Sequence, residues 1–155
     1  MISVGSKAPE FKLKDQNGKS VKLSLIKGKR ILLSFRPLAW TPVWSKQMKS
    51  LEENCTQFDK LNTVAFGIGV DSVPCNKAWA KSLDIIKVTL LSDFWPHGEA
   101  AQLYDVFRSK DGFSQRANIL IDENHIVKFV KVYPLNQLPD INEILEVLLN
   151  TKDNQ

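Results

Sequence analysis

Apolar and polar residues alternate strictly near the start of the chain, in Phe11-Lys12-Leu13-Lys14 and again in Val21-Lys22-Leu23. Period two puts successive side chains on opposite faces of a half-buried strand. Between the two segments, Asp15-Gln16-Asn17-Gly18 offers an Asn-Gly pair whose residues both tolerate positive φ, which predicts a hairpin. Beyond a second turn at Lys27-Gly28-Lys29, Ile31-Leu32-Leu33-Ser34-Phe35 is nearly continuous in apolar residues, as strands buried on both faces are. Two prolines, Pro37 and Pro42, then mark 36–44 as a loop that opens a helix. Thr41 suits the N-cap and Pro42 the first helical position. Met48, Leu51, Cys55 and Phe58 follow at spacings of three and four, so one helix is predicted through all of them, with Trp44 in its first turn.

The same pattern continues to the end of the chain. Thr63 to Val70 reads as a second buried strand. Asp71-Ser72-Val73-Pro74 opens a helix carrying Cys75, Ala78, Trp79 and Leu83, and Val88 to Asp93 is a further strand. A helix is predicted from about Glu99 to Phe107. Ala117–Asp122 and Ile126–Val130 form an antiparallel pair across Glu123-Asn124-His125, and Ile141, Ile144, Leu145 and Leu148 share one face of a last helix. Strand and helix units that alternate argue for an α/β layered fold with a mixed central sheet. No linker, repeat or low-complexity run divides it. One domain over residues 1–150 is expected, followed by a polar, frayed tail over 151–155.

Composition changes this picture little. At 155 residues, 43% hydrophobic and 25% charged, the chain is ordinary for a globular domain. No stretch approaches the ~20 apolar residues of a membrane span, and the first residues carry no apolar signal segment, so a cytoplasmic protein is expected. The net charge of +4 comes from lysines spread along the strands, which reads as solvated faces rather than a nucleic-acid stripe. The two cysteines, Cys55 and Cys75, are too few for a disulfide scaffold and form no CxxC pair; with His97 and His125 far apart, no metal site or cofactor is expected.

The chemistry to look for sits where the first buried strand meets its helix. Free backbone N–H groups and the positive end of the helix dipole favour an anion there, and a cysteine in that turn would be reactive as its thiolate. The segment Phe35-Arg36-Pro37-Leu38-Ala39-Trp40-Thr41-Pro42-Val43-Trp44 resembles the peroxiredoxin signature of proline, three residues, threonine, two residues, cysteine. Pro37 and Thr41 match it, and Trp44 occupies the cysteine position. Ser114 to Asp122 is similar to the strand that supplies the family's active-site arginine, which makes Arg116 that residue. Ala8-Pro9-Glu10-Phe11, Gly67 to Ser72 and Leu91-Ser92-Asp93-Phe94 also look like family segments.

The resemblance implies a thioredoxin-like fold of the peroxiredoxin type. It implies a thiol peroxidase scaffold that reduces hydrogen peroxide and organic hydroperoxides through a cysteine sulfenic acid. A thiol reductant such as thioredoxin or glutaredoxin, and a homodimer, go with it; nucleic acid and membrane partners do not. In that scheme Arg116 and Thr41 orient and polarise the peroxide and Pro37 shields the sulfur. With Trp44 in place of the nucleophile, no turnover is expected. Retention of Pro37, Thr41 and Arg116 points first to a deliberate Cys→Trp change, with natural loss in a non-catalytic binding or redox-sensing relative as the alternative. Because overpacking a small pocket costs about 1–3 kcal/mol, Trp44 is expected to drive 37–49 towards a locally unfolded arrangement.

Cys75 is the candidate resolving cysteine by resemblance. Cys55, in the helix of residue 44 and roughly 16 Å along it, is too far for a disulfide and falls on the apolar face. Trp40, Trp79, Phe94 and Trp95 read as core packing, with a dimer surface as the alternative. Disulfide exchange of the thioredoxin type is excluded, since Thr41-Pro42-Val43-Trp44 has no cysteine.

Overall fold

The computed structural model describes residues 1–152. Its centre is a seven-stranded mixed sheet in the order β2-β1-β5-β4-β3-β8-β9. The strands are β1 (Lys12–Lys14), β2 (Ser20–Lys22), β3 (Arg30–Phe35), β4 (Thr63–Gly69), β5 (Thr89–Ser92), β8 (Arg116–Ile121) and β9 (Val127–Tyr133). β3, β4 and β5 run parallel; β8 is antiparallel to β3, and β1 to β5. All six residues of β3 are buried, as a continuous apolar run in the middle of a sheet requires.

Helices cover both faces. α1 (Pro42–Glu53), α2 (Cys55–Lys60), α3 (Val73–Ser82) and α5 (Ile141–Lys152) bury Trp44, Met48, Phe58, Trp79, Ile144 and Leu148 against Leu32, Leu90 and Leu120. On the other face α4 (Glu99–Leu103) and Tyr104 pack with Ile31, Leu33, Phe35, Ile68 and Ile119. Neighbours along β3 thus belong to different cores. No helix among the described residues is long and apolar enough to cross a membrane.

The structure corrects four boundaries. The single helix predicted through Phe58 breaks at Asn54 (φ −101°, ψ 7°), whose Nδ2 donates to Ser50 O at 2.7 Å and competes with the helical ladder. The helix predicted to Phe107 stops at Leu103; Asp105 turns the chain at φ 56°, and Phe107 joins a two-stranded ribbon of β6 (Phe107–Arg108) and β7 (Phe113–Ser114). In the first hairpin only Gly18 takes positive φ, 81°, while Asp15 Oδ1 accepts from Asn17 N and Lys19 N at 2.8 and 2.9 Å and closes the turn. At the C-terminus, Thr151 and Lys152 continue α5, and the Thr151 hydroxyl accepts from Arg30 Nη1 at 2.7 Å. The rest of the expected tail, 153–155, lies outside the described residues.

Candidate active site

The strand period builds the site. Leu32, Ser34 and Arg36 alternate onto the face that α1 and α3 cover, and so do Arg116, Asn118 and Leu120 of the antiparallel neighbour. In register, Ser34 stands between Gly67 of β4 and Asn118 of β8. The floor beneath α1 is therefore apolar at Leu32 and Leu120 and polar towards the carboxyl end of β3. Gly67 and Gly69 leave room on it: a Cβ at Gly67 would lie 2.7 Å from Met48 Sδ, and one at Gly69 would run into the Arg36 side chain.

α1 starts above this floor as its sequence demands, with Thr41 extended at the N-cap (φ −100°, ψ 147°) and proline at the first helical position. The Thr41 hydroxyl does not cap the helix; it donates to Leu38 O at 2.9 Å. Trp44, the third helical residue, is fully buried (0% exposed). The expected local unfolding of 37–49 is thus overturned. Residues 42–53 are helical, Pro37 is buried, and the indole packs on Trp79 with ring centroids 5.3 Å apart. The ring closes a cluster with Ala39, Met48 and Trp79, while Gly67 and Gly69 make room for the Met48 and Arg36 side chains.

Two cations face that indole. The Arg36 guanidinium carbon lies 4.9 Å from the centroids of both Trp44 and Trp79, and that of Arg116 lies 5.8 Å from Trp44. Both arginines are buried, at 0% and 2% exposure, so Arg116 is not a solvated charge at a strand edge. Arg116 is well satisfied: Nη1 donates to Gln47 Oε1 at 2.6 Å, and Nε and Nη2 donate to Leu135 O at 3.1 and 2.9 Å. Gln47 in turn donates to Ser34 Oγ at 2.6 Å, tying α1 to β3 and β8. Arg36 is not. Its Nη2 donates to Asn76 Oδ1 at 2.6 Å, while Nε and Nη1 have no partner among the described residues. The indole N–H groups of Trp44 and Trp79 and Nδ2 of Asn76 are likewise unpartnered. Burial lowers the pKa of both arginines, that of Arg36 to about 10, so both remain cationic at neutral pH.

A negative π-face attracts a guanidinium, by about 2 kcal/mol or more where water is excluded. The indole of Trp44 therefore meets electrostatically what a bound anion would meet at this helix start. Chemically it differs, since it offers no nucleophile.

The structure sets Arg116 against Trp44, places Thr41 at the N-cap of the same helix and Pro37 in the loop before it, and puts Cys75 on α3, one turn before Trp79. Cys75 is half-buried, with Sγ 3.9 Å from Asp71 Oδ1. Cys55 sits in the core, where burial first, then Glu52 and Asp59, push its thiol up to about 11. Of the aromatics read as core, only Trp79 is; Trp40, Phe94 and Trp95 are 56, 52 and 82% exposed, a correction that leaves them on the surface. Arg36, Gln47, Asn76 and Asp71 were missed by the sequence reading. The signal for Arg36 was its parity with Ser34 on β3; for Gln47 it was the three-residue step from Trp44. Among the described residues, no three His, Cys, Asp or Glu side chains gather as a metal site.

The AhpC/TSA family matches residues 4–130. The chain is 35% identical to alkyl hydroperoxide reductase E of Mycobacterium tuberculosis, over 90% of this chain and 92% of that one. It is 30% identical to a peroxiredoxin of Thermoplasma volcanium, over 95% of this chain and 73% of that one. Its fold superposes on the reduced 2-Cys peroxiredoxin of Plasmodium vivax with a TM-score of 0.90 at 30% identity, covering 99% and 83% of the two chains. The fold is also that of Enterococcus faecalis AhpC, with a TM-score of 0.90 at 21% identity.

Proposed function

We propose, from the premise that this chain belongs to the AhpC/TSA family of peroxiredoxins, that it keeps the family's thiol peroxidase site as a structural centre with no turnover through residue 44. The single observation that carries this is the fully buried Trp44 ring with two guanidinium groups against it. An indole has no lone pair comparable to a thiolate's, so it cannot attack the O–O bond of a hydroperoxide. Arg116 lies against the ring, and Pro37 and Thr41 keep their places in the loop and helix start that lead to it. Arg36 and Trp79 pack against the larger ring, which favours a natural non-catalytic relative over an isolated Cys→Trp change. Such surroundings are hard to reconcile with a single engineered replacement.

The test is Trp44→Cys. With hydrogen peroxide and dithiothreitol, this variant is expected to consume peroxide on the order of a hundredfold or more faster than the unaltered chain. Equal rates would defeat the reading. A thioredoxin or glutaredoxin as natural reductant follows from the family. The exposed Trp40, Phe94 and Trp95 support a homodimer, which sedimentation measures directly.

A further inference from the structure

We propose that the cleft between the β1–β2 hairpin and the start of α3 binds an aromatic phosphate such as a nucleoside monophosphate, with the phosphate on Lys12 and Lys14 and the ring on Trp95. The proposal does not depend on what residue 44 does. The cleft holds about 400 Å³, within the roughly 300–1,000 Å³ of small-molecule sites. It lies beyond the carboxyl ends of β4 and β5, where Ser72 leads into α3 and Ser92 closes β5. That end of a parallel sheet is where ligands bind.

Strand register builds the charged part of the lining. Lys12 stands opposite Lys22, and Lys14 stands opposite Ser20 of β2 and Ser92 of β5. Residues opposite one another share a face of the sheet. Leu13, between the two lysines, turns to the other face and packs on the core that α4 covers. Lys12 and Lys14 therefore project side by side on the α3 side, both exposed. Like charges this close are unfavourable. Glu10 is within electrostatic reach of Lys22. Lys12 and Lys14 form no ion pair among the described residues, and no carboxylate lines the cleft. Phe94 and Trp95, which follow β5, supply its aromatic part and leave ring faces open to a ligand.

Two uncompensated ammonium groups match the charge of about −1.5 to −2 that a phosphate monoester carries at neutral pH, and lysine binds phosphate as a point charge. A carboxylate would neutralise only one of them. A planar base stacks on an indole face whatever its hydrogen-bonding pattern, so the ring half of the site is tolerant of the base. A second copy of this chain fits less well, because a two-fold contact here would bring the same ammonium groups together from both copies. Trp40 does not line the cleft and remains available to a homodimer contact.

The experiment titrates the full chain with adenosine monophosphate by calorimetry at low ionic strength, with adenosine and inorganic phosphate as separate probes. The monophosphate is expected to saturate one site per chain, and to bind about tenfold or more tightly than either adenosine or inorganic phosphate. Lys12→Gln combined with Lys14→Gln is expected to weaken the monophosphate about tenfold or more and to leave adenosine unchanged. Trp95→Leu is expected to weaken the monophosphate and adenosine and to leave inorganic phosphate unchanged. All three side chains are exposed, so these variants keep the fold, which circular dichroism checks. No saturable binding of the monophosphate overturns the proposal, as does affinity unchanged in the lysine double variant. Equal affinity for the monophosphate and inorganic phosphate, an adventitious ion only, overturns it too. So does sedimentation in which the double variant self-associates more tightly and the monophosphate has no effect, since the cleft would then be a contact between copies.

Discussion

The two parallel strands β3 and β4 each run into a helix at the same end of the sheet, and the two junctions are built alike. α1 and α3 both carry proline within their first two positions, and the third helical residue is Trp44 in one and Cys75 in the other. In open α/β sheets this end, beyond the carboxyl termini of parallel strands, is where ligands bind. At the first junction the third residue is an indole without exposed surface, clamped by Trp79 and two arginines; at the second it is a half-buried thiol beside a carboxylate. Similar backbone scaffolding thus carries a packed indole at one site and a half-buried thiol at the other. Which role a junction takes depends on one side chain and on whether the floor has room for it.

If that contrast is right, the two third residues differ most in what their removal does to stability. Trp44→Ala removes a ring from a dry core and takes one π-face from the under-bonded Arg36 guanidinium, and it is expected to cost about 3–5 kcal/mol. Cys75→Ala removes a small, half-exposed side chain and is expected to cost under about 1 kcal/mol. Chemical denaturation of both variants measures this. Similar losses would mean that the second junction is as structural as the first.

The third parallel strand sharpens the comparison. After β5, Asp93 accepts from Ala100 N and Ala101 N at 2.9 and 3.0 Å and ties the strand end to α4. Burial, outweighing those two N–H donors, raises its pKa from 3.8 to about 6. The folded chain therefore binds this proton more tightly than the unfolded chain does. The stabilisation is complete below about pH 4 and is lost as pH rises to about 6. That rise corresponds to on the order of 3 kcal/mol. Carboxylates held low, such as Glu52 under three backbone N–H donors, slope the opposite way at lower pH. The readout is therefore the difference between wild type and Asp93→Asn in urea titrations from pH 4 to 7. A difference that stays constant across that range would show that Asp93 titrates normally.

The succession of strands and helices was legible because it follows from local pattern: period two, period 3.6 and the Thr-Pro helix start; Pro37, Thr41 and Arg116 were singled out by the resemblance to a known family, not by that pattern. The fit of Trp44 was legible in neither. Seen alone, a tryptophan in a cysteine position predicts overpacking, and only the fold reveals Trp79 and Arg36 packed against the ring. Arg36 was hidden for a related reason. Its role depends on Asn76 and Trp79, forty or more positions away and brought near by a parallel crossover. The exposed Trp40, Phe94 and Trp95 were misread as core because hydrophobicity indicates burial against something without saying whether that partner is the same chain.

The smallest difference concerns the caps. Ser72 accepts a backbone N–H of its own helix, but at 3.4 Å, a long bond; Thr41 gives its helix none and bonds Leu38 O instead. N-cap substitutions by alanine typically cost ~0.5–2 kcal/mol where the side chain accepts from the helix. Ser72→Ala is therefore expected at the low end of that range, about 0.5–1 kcal/mol, and Thr41→Ala below about 0.5 kcal/mol. In the Trp44→Cys background the order should reverse for activity. Thr41→Ala would slow peroxide consumption there and Ser72→Ala would leave it unchanged, because only the threonine hydroxyl lies over the junction that has regained a sulfur. If Thr41→Ala instead costs more stability than Ser72→Ala and leaves that activity intact, the hydroxyl is a structural tie of the loop and the first junction has kept less of a peroxidase than its residues suggest.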